Sequence, residues 1–573
     1  MSDHRCSRTA KAVSVVVLSG CVALLSSCSN SGEQRARAES IYFNGDIITL
    51  NDRQPEAEAV VVVDGRIVMV GDYDEAEALS DSRTRWIDLD GKTLLPGFFD
   101  SHGHVTSVGS KLALVNVDPP PAGTADDIAS IQAALRERLE SAPPEPGEWL
   151  IASGYDHSQL AEGRHPTRHD LDEVSADLPI MLRHFSGHQS VVNSKVLELA
   201  GITAESEDPA GGRIHRFLNS REPNGILQES AQSLVRGLSG GGGFEPGATP
   251  GEDVLQRVDS AMKVYAAQGF TTVSNMGGSA GVLRKMARQG RLPVDVIGAG
   301  SDEEFSAEYE GRFRVGGSKM VLDGGSPGRS AYLREPYHEQ IPGEKGYRGY
   351  PRYESQAEIN ALVEAYYRAG TPTHIHALGD AAVDQAIAAV RAAEAAVPGS
   401  DRRTQLIHVQ QVQEDQMETL SELDVTLTFQ VAHNFYFGDF HRDVIYGPER
   451  TARLNPVRSA LDHGISATIH HDAPIHPVDQ RMLIWASVNR VTRSGKVIGP
   501  EQRISVLEAL KASTINAAYQ FFEEDSKGSI EVGKSADFVV LSDNPLEVDP
   551  MTLKDIQVME TIKDDTTVYR GGS

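Results

Sequence analysis

Apolar and amphipathic segments alternate through the middle of the chain. Eight apolar runs have the length and bounding residues that are typical of buried strands, at residues 94–100, 270–276, 292–300, 317–324, 371–379, 404–410, 424–431 and 465–472. The segments between them carry helix start signals, as where Ser355 precedes Glu358 in capping-box order. Strands that alternate with helices indicate parallel βα units, and eight strands are the number that closes a barrel. We predict an α/β fold built on a (β/α)8 TIM barrel over residues 94–524.

One interval does not fit this alternation. Residues 101–269 separate the first predicted strand from the second, which is far longer than an ordinary barrel loop. The interval has strand-like runs of its own at 149–156 and 178–185, followed by a glycine-rich stretch at 239–247. We predict an inserted subdomain after strand 1, at about residues 115–250.

Both ends of the body of the chain are rich in strand patterns. Residues 40–50 and 59–72 are rich in the β-branched and aromatic residues that are typical of strands, with an Asp-Gly turn inside the second run. Residues 527–545 and the last residues of the chain have the same character. We expect residues 39–93 and 525–573 to pair into one small composite β-sandwich domain.

The first residues have the pattern of an export signal. Three basic residues precede an apolar stretch that is too short to span a membrane and that ends in Leu-Ser-Ser-Cys at residues 25–28. This ending resembles the bacterial lipobox, and predicts a lipoprotein signal peptide over residues 1–27, lipidation of Cys28 and a polar tether over residues 28–38. The protein would then be exported and lipid-anchored to a bacterial membrane, on the periplasmic or cell-surface side. The alternative is a plain secretory signal that is cut nearby.

The net charge and the positions of the cysteines exclude some partners and some kinds of site. The formal net charge is −27 and the body of the chain has no basic run, which argues against a nucleic-acid partner. All three cysteines lie within the first 28 residues, so the body can form neither a disulfide nor a thiolate site. Any metal in the body must therefore be held by histidine, carboxylate or lysine-derived ligands.

Polar residues converge at the carboxyl ends of the predicted strands, where the chemistry of a parallel barrel is located. They are His102, His104, Lys319, Asp323, His374, His376, His408, His470, His471 and Asp472. Each has an ordinary structural explanation when taken alone: a satisfied core histidine, a lysine in an ion pair or a carboxylate that caps a helix. Their arrival from five strands at one end predicts a metal site.

Several motifs around these residues resemble the amidohydrolase superfamily. They are "PGFFDSHGH" at 96–104, residues 163–194, "DPAGGRI" with "NGILQE" between 208 and 229, "KMVLDGGSPGRSA" at 319–331, "HALGDAAVD" at 376–384 and "HDAPI" at 471–475. Within the superfamily they are similar to the YtcJ-like branch, which includes N-substituted formamide deformylases. The resemblance covers roughly residues 40–570. The sequence departs from the family pattern in two places: His374 is an extra histidine, and residues 469–472 read "IHHD" where a small residue or glycine usually precedes the aspartate.

The resemblance implies a ligand set and a mechanism. His102, His104 and Asp472 would hold one divalent metal, zinc or a similar ion, and His376 and His408 would hold a second. An N-carboxylated Lys319 would bridge the two ions, and a metal-activated hydroxide would attack the substrate while Asp472 moves the proton. Without carboxylation of Lys319, a mononuclear site at His102, His104 and Asp472 remains.

Four further residues are candidates for contact with substrate. His374 and His470 share an inward face with His376 and Asp472 by the period of two of a strand. The resemblance implies that His188 reaches the site from the insertion. Asp323 is the fourth candidate, with the orientation of a metal ligand or the capping of a turn as its alternative role.

The leading functional prediction is a metal-dependent hydrolase that cleaves a non-peptide C–N bond, an amide or a formamide, in a small-molecule substrate. One alternative is an aminohydrolase that deaminates a small heterocycle; Lys319 and the lack of a glutamate beside His376 argue against it. The other alternative is a non-catalytic binding lipoprotein on the same barrel, against which the full ligand set argues. The sequence leaves the substrate and a homo-oligomeric state open.

Overall fold

The computed structural model describes residues 37–187, 189–209, 212–238, 251–300, 304–341, 344–399 and 401–571. The predicted signal peptide, Cys28, most of the tether and His188 lie outside these ranges. Among the described residues, no helix combines the length and the hydropathy that crossing a membrane requires.

The strands fall into three sheets. In chain order they are β1 Ser40–Ile48, β2 Glu56–Val63, β3 Arg66–Gly71, β4 Arg85–Asp88, β5 Thr93–Pro96, β6 Phe98–Phe99, β7 Val115–Asn116, β8 Leu150–Tyr155, β9 Ile180–His184, β10 Gln189–Val192, β11 Gly212–Arg216, β12 Pro223–Glu229, β13 Phe270–Met276, β14 Asp295–Ala299, β15 Phe313–Val321, β16 Thr373–Ala377, β17 Gln405–His408, β18 Thr426–Phe429, β19 Ala467–Ile469, β20 Phe538–Leu541, β21 Val558–Lys563 and β22 Thr566–Arg570.

Helices connect most of these strands. They are α1 Tyr73–Glu77, α2 Val105–Leu112, α3 Ile128–Ser141, α4 Arg168–Asp172, α5 Ser194–Ala200, α6 Ser233–Arg236, α7 Glu252–Ala267, α8 Ala280–Arg288, α9 Gln356–Ala369, α10 Asp380–Ala396, α11 Glu414–Glu422, α12 Ala432–Tyr436, α13 Gly438–Phe440, α14 Gly447–Ala452, α15 Val457–Asp462, α16 Gln480–Asn489, α17 Val506–Ala512 and α18 Ile515–Gln520. Short 3-10 turns cover Ser230–Gln232, Pro500–Gln502 and Pro550–Asp555, and a π-helical turn covers His441–Ile445.

The central sheet is parallel and follows the chain. Among the described residues its eight strands run in the order β6, β13, β14, β15, β16, β17, β18 and β19, each paired in parallel with the next. Among the described residues, helices α7 to α11 alternate with these strands except between β14 and β15, and the buried apolar residues of both form the largest core. The predicted α/β fold with eight parallel strands is confirmed.

The first predicted strand is divided between two sheets. Thr93–Pro96 pairs with β20 of the terminal sheet, and only Phe98–Phe99 pairs with β13 of the central sheet. Gly97 stands at the change of sheet, where a Cβ atom would lie 2.3 Å from the side chain of Thr271. The absence of a side chain lets the chain pass closely from one sheet to the other.

Gln520 joins several strands of the central sheet through its side chain. Its Oε1 accepts hydrogen bonds from Thr428 in β18 at 3.0 Å and from Thr468 in β19 at 2.8 Å. Its Nε2 donates to Oε1 of Gln405 in β17 and to the carbonyl of Ser101, just after β6, at 3.1 Å. The side chain of Gln520 therefore bonds to β17, β18, β19 and the segment that follows β6.

Two further sheets flank the central one. The described part of residues 115–229 forms a six-stranded sheet in the order β11-β12-β10-β9-β8-β7, with apolar clusters of its own. The terminal sheet has the order β22-β21-β20-β5-β1-β2-β3, with β4 paired to β1, and unites segments from both ends of the body through the β5–β20 pair. Asp295 in β14 binds Lys563 in β21 at 2.6 Å, which ties the terminal sheet to the central one.

Candidate metal centre

Strand polarity brings the predicted ligands to one end of the central sheet. His102 and His104 follow β6, Lys319 lies in β15, His376 in β16, His408 at the end of β17, and His470 and Asp472 after β19. The backbone at two of these positions is left-handed, with φ of 75° at His408 and 57° at Asp472. Non-glycine residues adopt this region at a cost, and such strain concentrates at functional sites.

Asp472 is the centre of the group. Its Oδ1 lies 3.2 Å from Nε2 of His102 and 3.2 Å from Nε2 of His104. His408 approaches the other carboxylate oxygen, with Nδ1 at 3.9 Å from Oδ2. Ligand atoms of His102, His408 and Asp472 all lie within 4.8 Å of one another, a spacing that a single metal ion can bridge.

The donor atoms of this group fit a cation. Both ring nitrogens of His102, Nδ1 of His408 and Oδ1 of Asp472 are buried and have no hydrogen-bond partner among the described residues. Buried polar atoms are rarely left unpaired, so a set of them that converges on one point calls for a bound group. Imidazole nitrogens with a carboxylate oxygen are the ligands that zinc and similar divalent ions prefer.

Protonation states favour binding of a cation. Burial, together with the nearby charge of Lys319, holds the pKa of His102 well below its ordinary value, so the ring is neutral. Burial alone would raise the pKa of Asp472, but the adjacent histidines, first His408 and then His102, bring it well below the usual range. Neutral imidazoles beside a carboxylate form an anionic pocket that a divalent ion neutralises.

The tautomer of His104 is fixed by the backbone. Its Nδ1 contacts the carbonyl oxygen of Met276, the last residue of β13. The carbonyl can only accept, so Nδ1 carries the proton and Nε2 directs a lone pair at the side of Asp472. A second partner of this kind orients most metal-bound histidines.

His376 is oriented by Asp323. Nε2 of His376 lies 3.3 Å from Oδ1 of Asp323, and its ring centroid is 4.3 Å from that of His408. The Asp323 carboxylate also accepts backbone N–H groups at 2.9 Å from Tyr332, Leu378 and Gly379. Asp323 therefore makes the contacts that would fix the orientation of His376, and its predicted contact with substrate stays a prediction.

Lys319 faces the same group from β15. Its half-buried ammonium makes no hydrogen bond or salt bridge to any described residue. Burial lowers the pKa of Lys319 to about 7, against the opposing attraction of Asp472. An amine without a partner beside several metal-binding groups is the arrangement that a modified lysine ligand would need.

Comparison with known proteins agrees with this geometry. Residues 85–569 match the profile of the amidohydrolase family. The chain belongs to the amidohydrolase family. It is 29% identical to the N-substituted formamide deformylase of Arthrobacter pascens over 553 residues, 93% of this chain and 99% of that protein. It is also 29% identical to the putative amidohydrolase YtcJ of Bacillus subtilis over 556 residues, again 93% and 99%.

Solved structures show the same fold. An uncharacterized metal-dependent hydrolase from Pyrococcus furiosus aligns with a TM-score of 0.66 and 26% identity, over 89% of this chain and all of that one. A second, from Pyrococcus horikoshii, aligns with a TM-score of 0.69 and 24% identity, over 89% and 99%. The resemblance found in the motifs is confirmed, and this amidohydrolase is a metal-dependent hydrolase of C–N bonds other than peptide bonds.

The remaining substrate candidates of the amidohydrolase lie in different places. His470 is fully buried within the metal-binding group, with its ring centroid 5.0 Å from those of His102 and His408. His374 lies one layer deeper in the sheet, where its ring packs against Phe521 at 5.6 Å. His188 cannot be placed, because it lies outside the described residues.

One polar residue at the site was missed by the sequence analysis. Gln430 follows β18 and donates from Nε2 to Oδ2 of Asp472 at 3.1 Å, and its Oε1 accepts from Gln410 at 3.2 Å. Its position could have identified it, because Gln430 follows the carboxyl end of the seventh strand of the sheet, where we named no polar candidate. Three more buried histidines, His433, His441 and His476, pack together beyond it.

Proposed function

We propose that this amidohydrolase cleaves the C–N bond of a small-molecule amide or formamide with a zinc or similar ion held by His102, His104 and Asp472. The observation that carries the proposal is the convergence of two histidine Nε2 atoms on Oδ1 of Asp472, each at 3.2 Å. The name of the formamide deformylase relative, aligned over nearly its whole length, supports this substrate class.

Each residue of the site has its own role in the proposed hydrolysis. A divalent ion in such a site polarises a carbonyl and lowers the pKa of water to near neutrality. Asp472 takes the proton of the attacking water and gives it to the departing nitrogen, so that the amine leaves as a neutral group. Gln430 holds Oδ2 of Asp472, which keeps Oδ1 turned toward His102 and His104. His470, neutral and buried at the same point, is the residue that we assign to substrate contact.

A second ion would use the other half of the group. His376 and His408 lie with their rings 4.3 Å apart, and Lys319 faces them with no described partner. Carboxylation of Lys319 would convert a costly half-buried cation into an anionic ligand for both ions. We therefore propose two ions bridged by N-carboxylated Lys319.

Contacts among the described residues support a finer architecture. We propose that the eight parallel strands close into a barrel, which is supported by the hydrogen bond from Oγ of Ser101 to the carbonyl of Ile469 at 3.1 Å, and by Gln520. We propose that residues 115–250 form an inserted subdomain, since their described sheet has its own core clusters. We propose that the terminal sheet folds as a β-sandwich, because apolar clusters cover both of its faces.

We further propose export and anchoring through a lipid on Cys28. The proposal rests on the signal-peptide pattern and the Leu-Ser-Ser-Cys sequence at residues 25–28. The hydrolase would then act on small molecules outside the cytoplasm.

The function is tested by a panel of N-substituted formamides, N-acyl compounds and cyclic amides, incubated with zinc-loaded enzyme and followed by amine release. We expect hydrolysis of an amide or formamide that is abolished in His102→Ala and retained in His463→Ala, a matched histidine whose ring contacts Ser459 and Glu414. Release of ammonia from heterocycles with no amide cleavage would overturn the proposal in favour of a deaminase.

A further inference from the structure

Three histidines converge in the six-stranded sheet, apart from the residues of the barrel site. His157 follows β8, His184 ends β9, and His165 lies in the loop between β8 and α4. Nδ1 of His157 lies 3.1 Å from Nε2 of His184, and the rings of His157 and His165 stack with centroids 3.8 Å apart. One nitrogen from each of the three rings lies within 4.8 Å of the other two.

We propose that His157, His165 and His184 form a second divalent-metal site, which binds zinc or a comparable transition metal. Zinc–imidazole bonds of about 2.0–2.1 Å place two tetrahedral ligands about 3.3 Å apart, close to the separation of the first pair. Imidazole ligands without any thiolate suit zinc, copper(II) or nickel(II). Three protein ligands leave a fourth position open to water or a small anion.

Neighbouring groups orient the rings for this role. The hydroxyl of buried Tyr155 lies 3.0 Å from Nδ1 of His165, and Oγ of Ser186 lies 2.8 Å from Nδ1 of His184. With these contacts made at Nδ1, Nε2 is the ring nitrogen that His165 and His184 would each direct toward an ion. Such second partners fix ring orientation at most histidine–metal sites.

The electrostatics agree with the geometry. Burial, with the nearby ring of His157, lowers the pKa of His165 to about 3, and burial also lowers the pKa of His157. Both rings are therefore neutral at pH 7, the form in which imidazole binds a metal. In the absence of an ion, a shared proton can hold the His157–His184 contact, and a divalent ion would displace it.

An ion at this site would connect two separate segments of the chain. It would clamp the loop that carries His157 and His165 to the end of β9. The next residue, Phe185, stacks on Phe437 at 4.7 Å with an angle of 23° between the rings. Phe437 belongs to the barrel segment after β18 that also carries Gln430, so the clamp would hold one wall beside the catalytic group.

Metal counting tests the proposal. The purified full chain is stripped with a chelator, reloaded with zinc, desalted and analysed for zinc per chain, alongside His157→Ala/His165→Ala. We expect the double variant to bind one equivalent fewer than the parent. The matched control, His169→Ala/His215→Ala, removes two histidines outside the cluster, one in α4 and one in β11, and should bind as much zinc as the parent.

Two measurements keep the test decisive if the double variant folds poorly. Tyr155→Phe removes only a hydroxyl and should weaken zinc binding at one equivalent by about 10–100-fold. In His102→Ala/Asp472→Ala, copper(II) should give an electron paramagnetic resonance signal with coupling to three imidazole nitrogens, which is lost on adding His157→Gln. Equal zinc content in the parent and the double variant, or unchanged zinc affinity in Tyr155→Phe, would overturn the proposal.

Discussion

Gln430 donates a hydrogen bond from Nε2 to Oδ2 of Asp472 at 3.1 Å, and both side chains are buried. The bond leaves Oδ1 of Asp472 as the oxygen that faces His102 and His104. Gln430 thus sets the direction of the residue to which we assign both metal binding and proton transfer.

Replacement of Gln430 tests this positioning role. We expect Gln430→Ala to lower kcat or zinc affinity by about 10–100-fold, because partners of metal ligands contribute that much at comparable sites. Gln411→Ala is the matched control, since Gln411 is equally buried but bonds the carbonyl of Arg450. Steady-state kinetics and zinc titration of both variants give the answer, and parental values in Gln430→Ala would show that Asp472 needs no such partner.

Lys319 provides a test of the bridging ligand. We expect Lys319→Ala to lose activity and one metal equivalent, because its amine has no described partner other than the proposed group. Short carboxylic acids such as acetate should partly restore activity by supplying the missing carboxylate, whereas acetamide should not. Full activity in Lys319→Ala, or a loss that acetate leaves untouched, would favour a mononuclear site.

Asp295 links stability to pH. It lies 2.6 Å from Lys563 and 2.7 Å from Lys527, and despite its burial the two lysines hold its pKa well below the usual range. A lowered carboxyl pKa stabilises the fold above the unfolded pKa of about 3.9, and that contribution disappears as pH falls through the folded value.

We therefore expect Asp295→Asn to lower the free energy of unfolding by about 3 kcal/mol at pH 7, because it removes the buried carboxylate that Lys563 and Lys527 share. The loss is limited because Lys563 keeps Asp537 and Lys527 keeps Glu523 as partners. The difference from the parent should shrink below about pH 4. Urea unfolding followed by tryptophan fluorescence measures it, with Asp253→Asn, an exposed partner of Arg257 at 3.7 Å, as the control that should be unaffected. A difference that is constant between pH 3 and pH 7 would contradict the assignment.

Cys28 tests the proposed anchor. Cys28→Ala should move the protein from the membrane fraction to the soluble fraction, because the thiol that carries the lipid is missing. Metabolic labelling with a fatty acid provides a second readout, and an unchanged membrane fraction in the variant would remove the anchor from the account.

The strands could be predicted because each is a continuous apolar run bounded by polar residues. The division of residues 94–100 between two sheets could not, since the apolar pattern does not record which neighbour accepts the hydrogen bonds of Thr93–Pro96. Strand polarity alone indicated that Lys319 and His408 approach the same point, because parallel strands share one carboxyl end.

Other parts of the site depend on contacts that have no sequence pattern. The spacing of His157, His165 and His184 follows neither a strand nor a helix period, so the cluster becomes visible only when β8 and β9 pair side by side. His374 shares the inward face with His376, but its depth in the sheet places it against Phe521. The period of two predicts the face of the sheet on which a side chain lies. Its distance from the carboxyl end of the sheet depends on where each strand ends, which the period does not give.

Anomalous diffraction from zinc-loaded crystals can locate the ion that we propose at His102, His104 and Asp472. Data collected on either side of the zinc absorption edge locate the ion without any assumption about ligands or activity. The proposed site requires an anomalous peak between Nε2 of His102, Nε2 of His104 and Oδ1 of Asp472. Zinc bound to the active enzyme with no peak at those three atoms would contradict it.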